Sequence, residues 1–363
     1  MRSIHDLETP AVLIDLDRLE RNIARMAARA REAGVALRPH AKTHKVPEIG
    51  WMQMRAGAVG LSVAKTSEAE VFAKHGFEDL FIAYPAVGLG KAERLVALAK
   101  RVKLSVGIDS VEAATLLGEA ASRAGVTLSV RMKVDVGYHR VGVDPGDVVA
   151  IGTRVAAIRG VRLDGIFTHA GQAYSRPTPA EIEKDTVDEA TIMAAAADDL
   201  RRAGVGIEVV SIGSTPTSKF GFARPGITEA RPGNYVYLDR TQAGLGTCSL
   251  DDCAMTVLAT VVSHPVPSRL TLDAGSKTLS SDLLRPVADG HGWIVGSRSR
   301  VAKLSEEHGV VVVEEGDSFR IGDRVRVLPN HACVVSNLHN RVYGVRGENV
   351  EAVFEVAARG CVE

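Results

Sequence analysis

Extended and helical segments alternate along the first two-thirds of this chain, and this alternation constrains its fold more than any other feature. A basic extended segment at residues 35–42 is followed by predicted strands near 60–64, 79–83, 103–108, 127–135, 161–169, 207–213 and 227–236. Helical periodicity separates them, near residues 48–55, 67–74, 90–99, from 110, and near 146–157 and 180–203. Roughly eight such units form a closed (β/α)₈ barrel. An open doubly wound sheet is the alternative, but no G-x-G-x-x-G motif follows the first strand.

The pattern changes near residue 246. Short β-branched runs at residues 257–262, 270–273, 310–313 and 324–327 are separated by Pro, Gly and Ser, without helical periodicity between them. We therefore predict an α/β chain with a TIM-type barrel at residues 17–245 and an all-β domain at residues 246–363. The strand predicted at residues 8–16 is expected to join the β-domain.

The charge balance limits the classes of partner. The 363-residue chain has 44 lysines and arginines against 44 aspartates and glutamates. It therefore has no net positive charge that would attract nucleic acid or an acidic membrane surface. A small-molecule ligand is expected instead. Four cysteines are too few for a disulfide framework, and no apolar run is long enough for a signal peptide or a membrane span. A cytoplasmic location is predicted.

A cluster of cations and imidazoles occupies residues 37–45. With the period of two of a strand, Arg38, His40 and Lys42 share one face, which is predicted to look into a site. Chemistry in a parallel barrel lies at the carboxyl ends of the strands, so Lys42 is a candidate amine nucleophile. Lys45 lies beyond the alternating run and is the weaker candidate.

A second charged row follows the predicted strand near residues 127–135. Arg131, Lys133 and Asp135 alternate with apolar residues and are expected to face the barrel axis. The alternative for Arg131 and Asp135 is a buried ion network that fills the barrel. Arg140 lies past the strand in a Gly-rich turn, where it is better placed to hold an anionic oxygen.

Small residues and residues with hydroxyl groups lie at the carboxyl end of the strand predicted at residues 207–213. Gly213, Ser214 and Thr215 precede Pro216 at a predicted helix start, and exposed backbone N–H groups at such a turn can bind phosphate. Clusters of this composition also mark ordinary loops. Together with a lysine inside the barrel, the turn points to a phosphorylated carbonyl cofactor.

His331 and Cys333 form an H-x-C pair in the predicted β-domain. On an extended segment the two side chains share one face and can reach one ion, and imidazole with thiolate suits Zn²⁺ best among common metals. The alternative is a half-buried cysteine beside an incidental histidine. Asp273 and Lys277 are candidates for a second shell around the metal.

Six segments of the chain, taken in order, resemble the D-serine dehydratase and D-threonine aldolase family of pyridoxal 5'-phosphate enzymes, which have the alanine-racemase-like fold (fold type III). They lie at residues 38–45, 135–142, 168–174, 211–217, 231–235 and 329–333. The resemblance covers nearly the whole chain.

The resemblance implies roles for individual residues. It implies cofactor contacts for Lys42, Arg140, His169, Tyr174, Gly213, Ser214, Thr215 and Tyr235. Lys42 matches the lysine that forms the Schiff base, and His169 and Tyr174 are expected to act with it in catalysis. His331 and Cys333 match the metal ligands, with Zn²⁺ first and Mn²⁺ or Mg²⁺ as alternatives.

The implied activity is a metal-assisted lyase reaction on D-3-hydroxy amino acids, in which the lysine and the metal meet at one pocket. Dehydration, giving a 2-oxo acid and ammonia, is the first interpretation, and retro-aldol cleavage to glycine and an aldehyde is the alternative. The H-x-C pair, in place of the H-x-D typical of aldolases, and Ser175, where aldolases have a histidine, lean toward dehydration. A racemase and a noncatalytic cofactor-binding protein are weaker alternatives. A homodimer is implied by resemblance only.

Overall fold

The computed structural model describes residues 2–283 and 289–363, and these form two compact units. The barrel unit contains Arg25–Lys42, Gly50–Gly233 and Cys361–Glu363. The β unit contains the chain up to Ala24 together with Thr43–Ile49 and Asn234–Gly360. The domain boundary at residues 245 and 246 stays a prediction. Every helix in the described part of the chain is too short or too polar to cross a lipid bilayer.

The barrel unit is built on a parallel sheet. In the described residues it has eight strands: Ala36–Leu37, Leu61–Val63, Asp79–Pro85, Lys103–Ile108, Leu128–Lys133, Val161–Phe167, Val209–Ile212 and Glu229–Ala230. From Leu61–Val63 onward each strand pairs with the next in the chain, and the last, Glu229–Ala230, pairs with the first. A parallel bridge between His40 and Ser62 links the first strand segment to the second. The predicted fold class is confirmed.

Helices connect the strands of the barrel unit. They are Thr66–Lys74, Leu89–Ala99, Val111–Arg123, Val148–Ala156, Pro179–Arg202 and the short Thr215–Ser218. Helices Leu16–Glu32 and Pro47–Arg55 have residues in both units. The longest begins where local chemistry predicts, because the Thr178 side chain accepts a hydrogen bond from the Glu181 N–H and Pro179 occupies the first turn.

Charged side chains fill part of the barrel interior. The buried Glu229 accepts hydrogen bonds from Arg38 Nε at 2.7 Å and from Arg131 at 2.9 Å. Burial acts to raise the pKa of Glu229, but the charges of Arg131 and Arg38 outweigh it and lower this pKa to about 2. For Arg131 the structure therefore shows the buried ion network, with Asp164 as a further partner. The nearby Lys133 has its amine against the Phe167 ring.

Two predicted strands are shorter than expected. The alternation predicted from residue 35 to Lys42 is wrong beyond Leu37, because the chain turns into a 3₁₀ helix at Ala41–Thr43. The strand predicted at residues 227–236 contains only Glu229–Ala230. Each strand is followed within two residues by a proline, Pro39 or Pro232, and a residue without an N–H cannot extend a hydrogen-bonded ladder.

The β unit is built on a mainly antiparallel sheet. In the described residues its ten strands are Arg2–Ser3, Ala11–Asp15, Met255–Val266, Arg269–Leu272, Gly292–Ile294, Arg300–Leu304, Gly309–Val312, Arg324–Pro329, Arg341–Arg346 and Asn349–Glu355. Strand Ala11–Asp15 pairs with Met255–Val266 and with Arg341–Arg346. Its Leu13 packs with Leu258 and Val345 in a buried cluster. Short helices lie at Arg240–Gly244, Ser276–Leu279 and Ala332–Leu338.

Candidate active site

Lys42 and Lys45 differ in their surroundings. Lys42 lies in the 3₁₀ helix after the first barrel strand, its side chain is exposed, and its N–H donates to His40 Nδ1 at 3.4 Å. Lys45 is buried, and its ammonium donates to Asn337 Oδ1 at 2.8 Å. Of the two amines, Lys42 is the one that a ligand can approach from solvent.

A group of cations surrounds this end of the barrel unit. Lys133 is 5 % exposed at the carboxyl end of its strand, with its amine 5.3 Å from the centre of the Phe167 ring. Burial lowers the pKa of Lys133 to about 7, helped by the positive charges of Arg231, Arg140 and Lys42. The neutral amine is therefore populated at neutral pH. The strand period predicts Lys133 toward the barrel axis but assigns it no role in the site.

His169 is held as a neutral imidazole. It follows strand Val161–Phe167, and its Nδ1 lies 3.4 Å from the carbonyl oxygen of Gly213. Because a carbonyl only accepts, Nδ1 carries the hydrogen and Nε2 is left as an acceptor. Burial, together with the charges of Lys42 and Lys133, lowers the pKa of His169 well below its usual value.

Aromatic rings and a glycine turn complete the surroundings of His169. The rings of Tyr138 and Tyr174 lie 6.0 and 6.2 Å from it, centre to centre. The exposed Arg140 stacks its guanidinium 4.7 Å from the Tyr138 ring centre. The barrel unit therefore brings Lys42, Arg140, His169 and Tyr174 into one region.

The turn after strand Val209–Ile212 has the predicted small-residue geometry. Gly213 has φ +119°, a conformation that favours glycine, and an added Cβ would lie 3.2 Å from the Arg231 backbone nitrogen. The Ser214 hydroxyl accepts from the Thr217 N–H at 3.4 Å and begins helix Thr215–Ser218. The predicted helix start is confirmed. Tyr235, also predicted to bind the cofactor, is buried in the Asn234–Val236 turn of the β unit.

The residues of the barrel unit fit an anionic carbonyl cofactor. The nearby cations Lys42, Lys133 and Arg140 depress the pKa of His169 together, so the region has excess positive charge. Pyridoxal phosphate carries compensating negative charge and an aldehyde that an accessible amine such as that of Lys42 can bond. The cofactor implied by the resemblance thus matches the donor set of this region.

His331 and Cys333 are close together, but their local structure differs from the prediction. The extended segment expected at this H-x-C pair is wrong. His331 precedes helix Ala332–Leu338, and Cys333 lies in its first turn. His331 Nδ1 donates to Asp282 Oδ2 at 2.6 Å, while Cys333 Sγ lies 3.2 Å from the Thr43 hydroxyl. The carboxylate fixes the imidazole and leaves Nε2 for another partner.

The two side chains favour charged forms. Burial acts to raise the pKa of the Cys333 thiol, but the His331 charge and hydrogen bonds from His331 and Thr43 lower it overall. Burial acts to lower the pKa of His331, but Cys333 and the hydrogen bond to Asp282 raise it. A thiol with a lowered pKa beside a carboxylate-held imidazole resembles the donor set of a zinc-type site.

His331 and Cys333 are two candidate metal ligands. The described residues contain no group of three or more His, Cys, Asp or Glu side chains placed to hold a metal ion. Two ligands leave open coordination positions, as a catalytic metal requires. The second shell predicted at Asp273 and Lys277 stays a prediction. Asp273 accepts hydrogen bonds from Thr9 and Thr260, and Lys277 pairs with Glu306 and Glu307.

Two carboxylates that the sequence does not reveal support His331 and Cys333. Asp282 precedes His331 by 49 residues, so no local pattern could reveal it. Asp239 is fully buried and accepts from the Ala332 N–H at 3.0 Å and from Asn234 Nδ2 at 2.6 Å. The same Asn234 amide lies 3.6 Å from Cys333 Sγ. Asp239 therefore fixes the peptide between the two candidate ligands.

The chain matches two family models and several characterised enzymes over most of its length. The family model of the alanine racemase N-terminal domain matches residues 14–241, and a model of a serine dehydratase domain matches residues 254–345. The chain is 36 % identical to a D-threo-3-hydroxyaspartate dehydratase of Delftia sp. (strain HT23), over 90 % of this chain and 91 % of that one. It is 33 % identical to a D-threonine aldolase of Arthrobacter sp., over 98 % and 93 %.

A solved structure agrees over the full length. The crystal structure of D-threonine aldolase from Filomicrobium marinum superposes with a TM-score of 0.92 at 33 % identity and covers 100 % of both chains. The resemblance inferred from the six sequence segments is confirmed. The chain therefore belongs to the D-serine dehydratase and D-threonine aldolase family of pyridoxal-phosphate lyases with the alanine-racemase fold.

Proposed function

We propose that the protein is a lyase that uses pyridoxal phosphate and a divalent metal to act on D-3-hydroxy amino acids, with loss of water as its main reaction. The net products are a 2-oxo acid and ammonia. Support comes from the relatives, whose names include D-threo-3-hydroxyaspartate dehydratase and D-serine dehydratase. The H-x-C pair of His331 and Cys333 agrees with the dehydratase interpretation.

We place the cofactor in the barrel unit. Lys42 would bond its aldehyde, Arg140 would face its phenolic oxygen, and the turn at residues 213–215 would hold its phosphate. When bound, pyridoxal phosphate supplies an electron sink for breaking a bond at the substrate Cα. The Lys42 amine, once released by the substrate, is the base for the α-proton. His169 and Tyr174 line the pocket, and the neutral His169 leaves its Nε2 as an acceptor.

We place the metal between His331 and Cys333 and propose Zn²⁺, with Mn²⁺ and Mg²⁺ as alternatives. A divalent ion there supplies a Lewis acid for the substrate β-hydroxyl, which is otherwise a poor leaving group. The observation that carries the proposal is the 3.2 Å contact between the Thr43 hydroxyl and Cys333 Sγ. Thr43 is bonded to Lys42, so its Cα lies about 3.8 Å from that of the amine-bearing residue.

Retro-aldol cleavage is the second candidate. The 33 % identity to a D-threonine aldolase over 98 % of this chain favours it. The same metal would then assist loss of the β-hydroxyl proton, giving glycine and an aldehyde. The two outcomes differ in whether a base removes the α-proton or the hydroxyl proton first.

The deciding experiment is an assay of the purified holoenzyme with D-serine, D-threonine and D-threo-3-hydroxyaspartate, with and without chelator. Ammonia with a 2-oxo acid indicates dehydration, and glycine with an aldehyde indicates cleavage. Activity that is unchanged after complete removal of metal contradicts the proposed role of the ion. We also propose a homodimer and a cytoplasmic location on family resemblance and composition. Light scattering in solution tests the dimer.

A further inference from the structure

Glu189 is a buried carboxyl that the proposed chemistry does not use. It lies within helix Pro179–Arg202 with 0 % of its surface exposed. Its Oε1 accepts hydrogen bonds from the N–H groups of Ala170 and Gly213, each at 3.2 Å. Its Oε2 has no hydrogen-bond partner among the described residues. Burying a carboxyl group costs free energy unless hydrogen bonds compensate for the lost water. The two N–H groups that donate to Glu189 therefore indicate what it does.

The two donors belong to turns after neighbouring strands. Ala170 directly follows His169, and Gly213 follows strand Val209–Ile212. The Gly213 carbonyl is also fixed, since His169 Nδ1 lies 3.4 Å from it. The peptide groups flanking Gly213 are thus held by Glu189 on one side and by His169 on the other. One carboxylate oxygen therefore sets the spacing between the two turns.

We propose that Glu189 is a positioning residue that aligns the His169 turn with the turn at residues 213–215 and so determines how tightly the cofactor's phosphate is held. The inference rests on the proposed function, in which that turn receives the phosphate. Glu189 acts through the two backbone N–H groups and does not itself touch the cofactor.

The acceptor oxygen, not the negative charge, carries this role. Burial raises the pKa of Glu189 to about 7, against the opposing hydrogen bond from Gly213 and the charges of Arg231 and Lys133. The neutral carboxyl is therefore populated at neutral pH, and its carbonyl oxygen still accepts both bonds. A glutamine keeps that oxygen and places its amide NH₂ where Oε2 lies. A leucine fills similar space but leaves both N–H groups without an acceptor.

The test compares Glu189→Gln and Glu189→Leu by titrating the cofactor-free proteins with pyridoxal phosphate and with pyridoxal, followed by absorbance. For Glu189→Leu we expect at least about tenfold weaker binding of pyridoxal phosphate and a change within about threefold for pyridoxal, which has no phosphate. Glu189→Gln should stay within about threefold of wild type for both ligands. Glu183→Leu, at an exposed position of the same helix, is the matched control and should change neither affinity.

Equal weakening of both ligands in Glu189→Leu overturns the inference, because a general packing defect does not distinguish the phosphate. Equal losses in the Gln and Leu variants also overturn it, since the charge would then be the important property. Where Glu189→Leu does not fold, Glu189→Asp replaces it: aspartate is one methylene shorter and should weaken pyridoxal phosphate selectively. A wild-type chain that binds no pyridoxal phosphate overturns the proposed function as well, whereas wild-type binding with unaffected variants overturns only the role of Glu189.

Discussion

The barrel-unit and β-unit sites treat histidine in opposite ways. His169 in the barrel unit is half-buried near the charges of Lys42, Lys133 and Arg140, and its pKa is lowered well below the usual value. His331 in the β unit is held by Asp282 and paired with Cys333, and its pKa is raised. One site concentrates positive charge and suits an anionic ligand, whereas the other supports a thiolate and suits a cation. Histidine is thus a neutral hydrogen-bond acceptor in the barrel unit. In the β unit it is one of two candidate metal ligands.

The largest effect is expected from Lys42→Ala. Removing the amine takes away both the bonded site for the cofactor and the base for the α-proton, so activity should fall at least about 10,000-fold. The visible absorption of the bound cofactor should disappear, while metal bound per chain stays at the wild-type value. Absorbance and metal analysis measure the two. Lys45→Gln is the control, and loss of cofactor absorption in that variant instead would reverse the assignment.

Cys333→Ala should have the complementary signature. Activity should fall about 1,000-fold, since a Lewis acid contributes several kcal/mol to such a reaction. The metal should be lost and the cofactor absorption kept. Cys361→Ala, outside the β unit, is the matched control and should retain both. A Cys333→Ala protein with full activity and no metal would contradict the division between the two sites.

Lys133 should give the barrel unit a stability that depends on pH. Its pKa is about 7 in the folded chain, against 10.5 for an ordinary lysine in the unfolded chain. Between pH 10.5 and 7 the unfolded chain therefore takes up a proton that the folded chain does not. Wild-type stability should therefore fall, relative to Lys133→Met, by roughly 3–5 kcal/mol as the pH drops through that window. Urea unfolding of cofactor-free protein at several pH values measures this.

The control for Lys133 is Lys100→Met, at an exposed position of the same unit, which should follow the wild-type pH profile. A Lys133→Met profile parallel to wild type between pH 7 and 10.5 would show that the buried amine keeps its ordinary pKa.

The smallest effect is expected from Asp282→Asn in the β unit. Asparagine still accepts the His331 Nδ1 hydrogen but lacks the charge, so metal affinity should weaken about 10- to 100-fold. Cofactor absorption should not change. Competition with a metal-binding dye measures the affinity, and Glu355→Gln, an exposed acid on strand Asn349–Glu355, is the control. Unaltered metal affinity would remove Asp282 from the site.

Periodicity was sufficient to predict most of the fold. The predicted alternation of strands and helices is present in the structure. The hydrophobic periods of strands and helices predict it because they show which side chains can face a core. The prediction was wrong where prolines stop the ladder, after Leu37 and after Ala230, and where His331 begins a helix. An H-x-C spacing is compatible with an extended chain and with a first helical turn, so spacing alone does not distinguish them.

The candidate site was only partly accessible from the sequence. Glu189 did leave a signal, an acid within a helical row of buried residues that includes Ile182, Thr186 and Met193. Asp282 and Asp239 left none, because they lie 49 and 92 residues from His331 in the chain. Hydrogen bonds between residues so far apart in the chain form only on folding, so no local sequence pattern predicts them.

The sequence by itself determined the alternating barrel, the second β-rich region and the residue types at the strand ends, because these depend on hydrophobic periodicity and on short motifs. Only the tertiary structure decided which charges face one another. It placed Lys133 near the charges of Arg231, Arg140 and Lys42. It also paired His331 with Asp282 and joined two turns through Glu189. The physical reason is that pKa values and hydrogen-bond partners depend on distance and burial, which are properties of the folded chain.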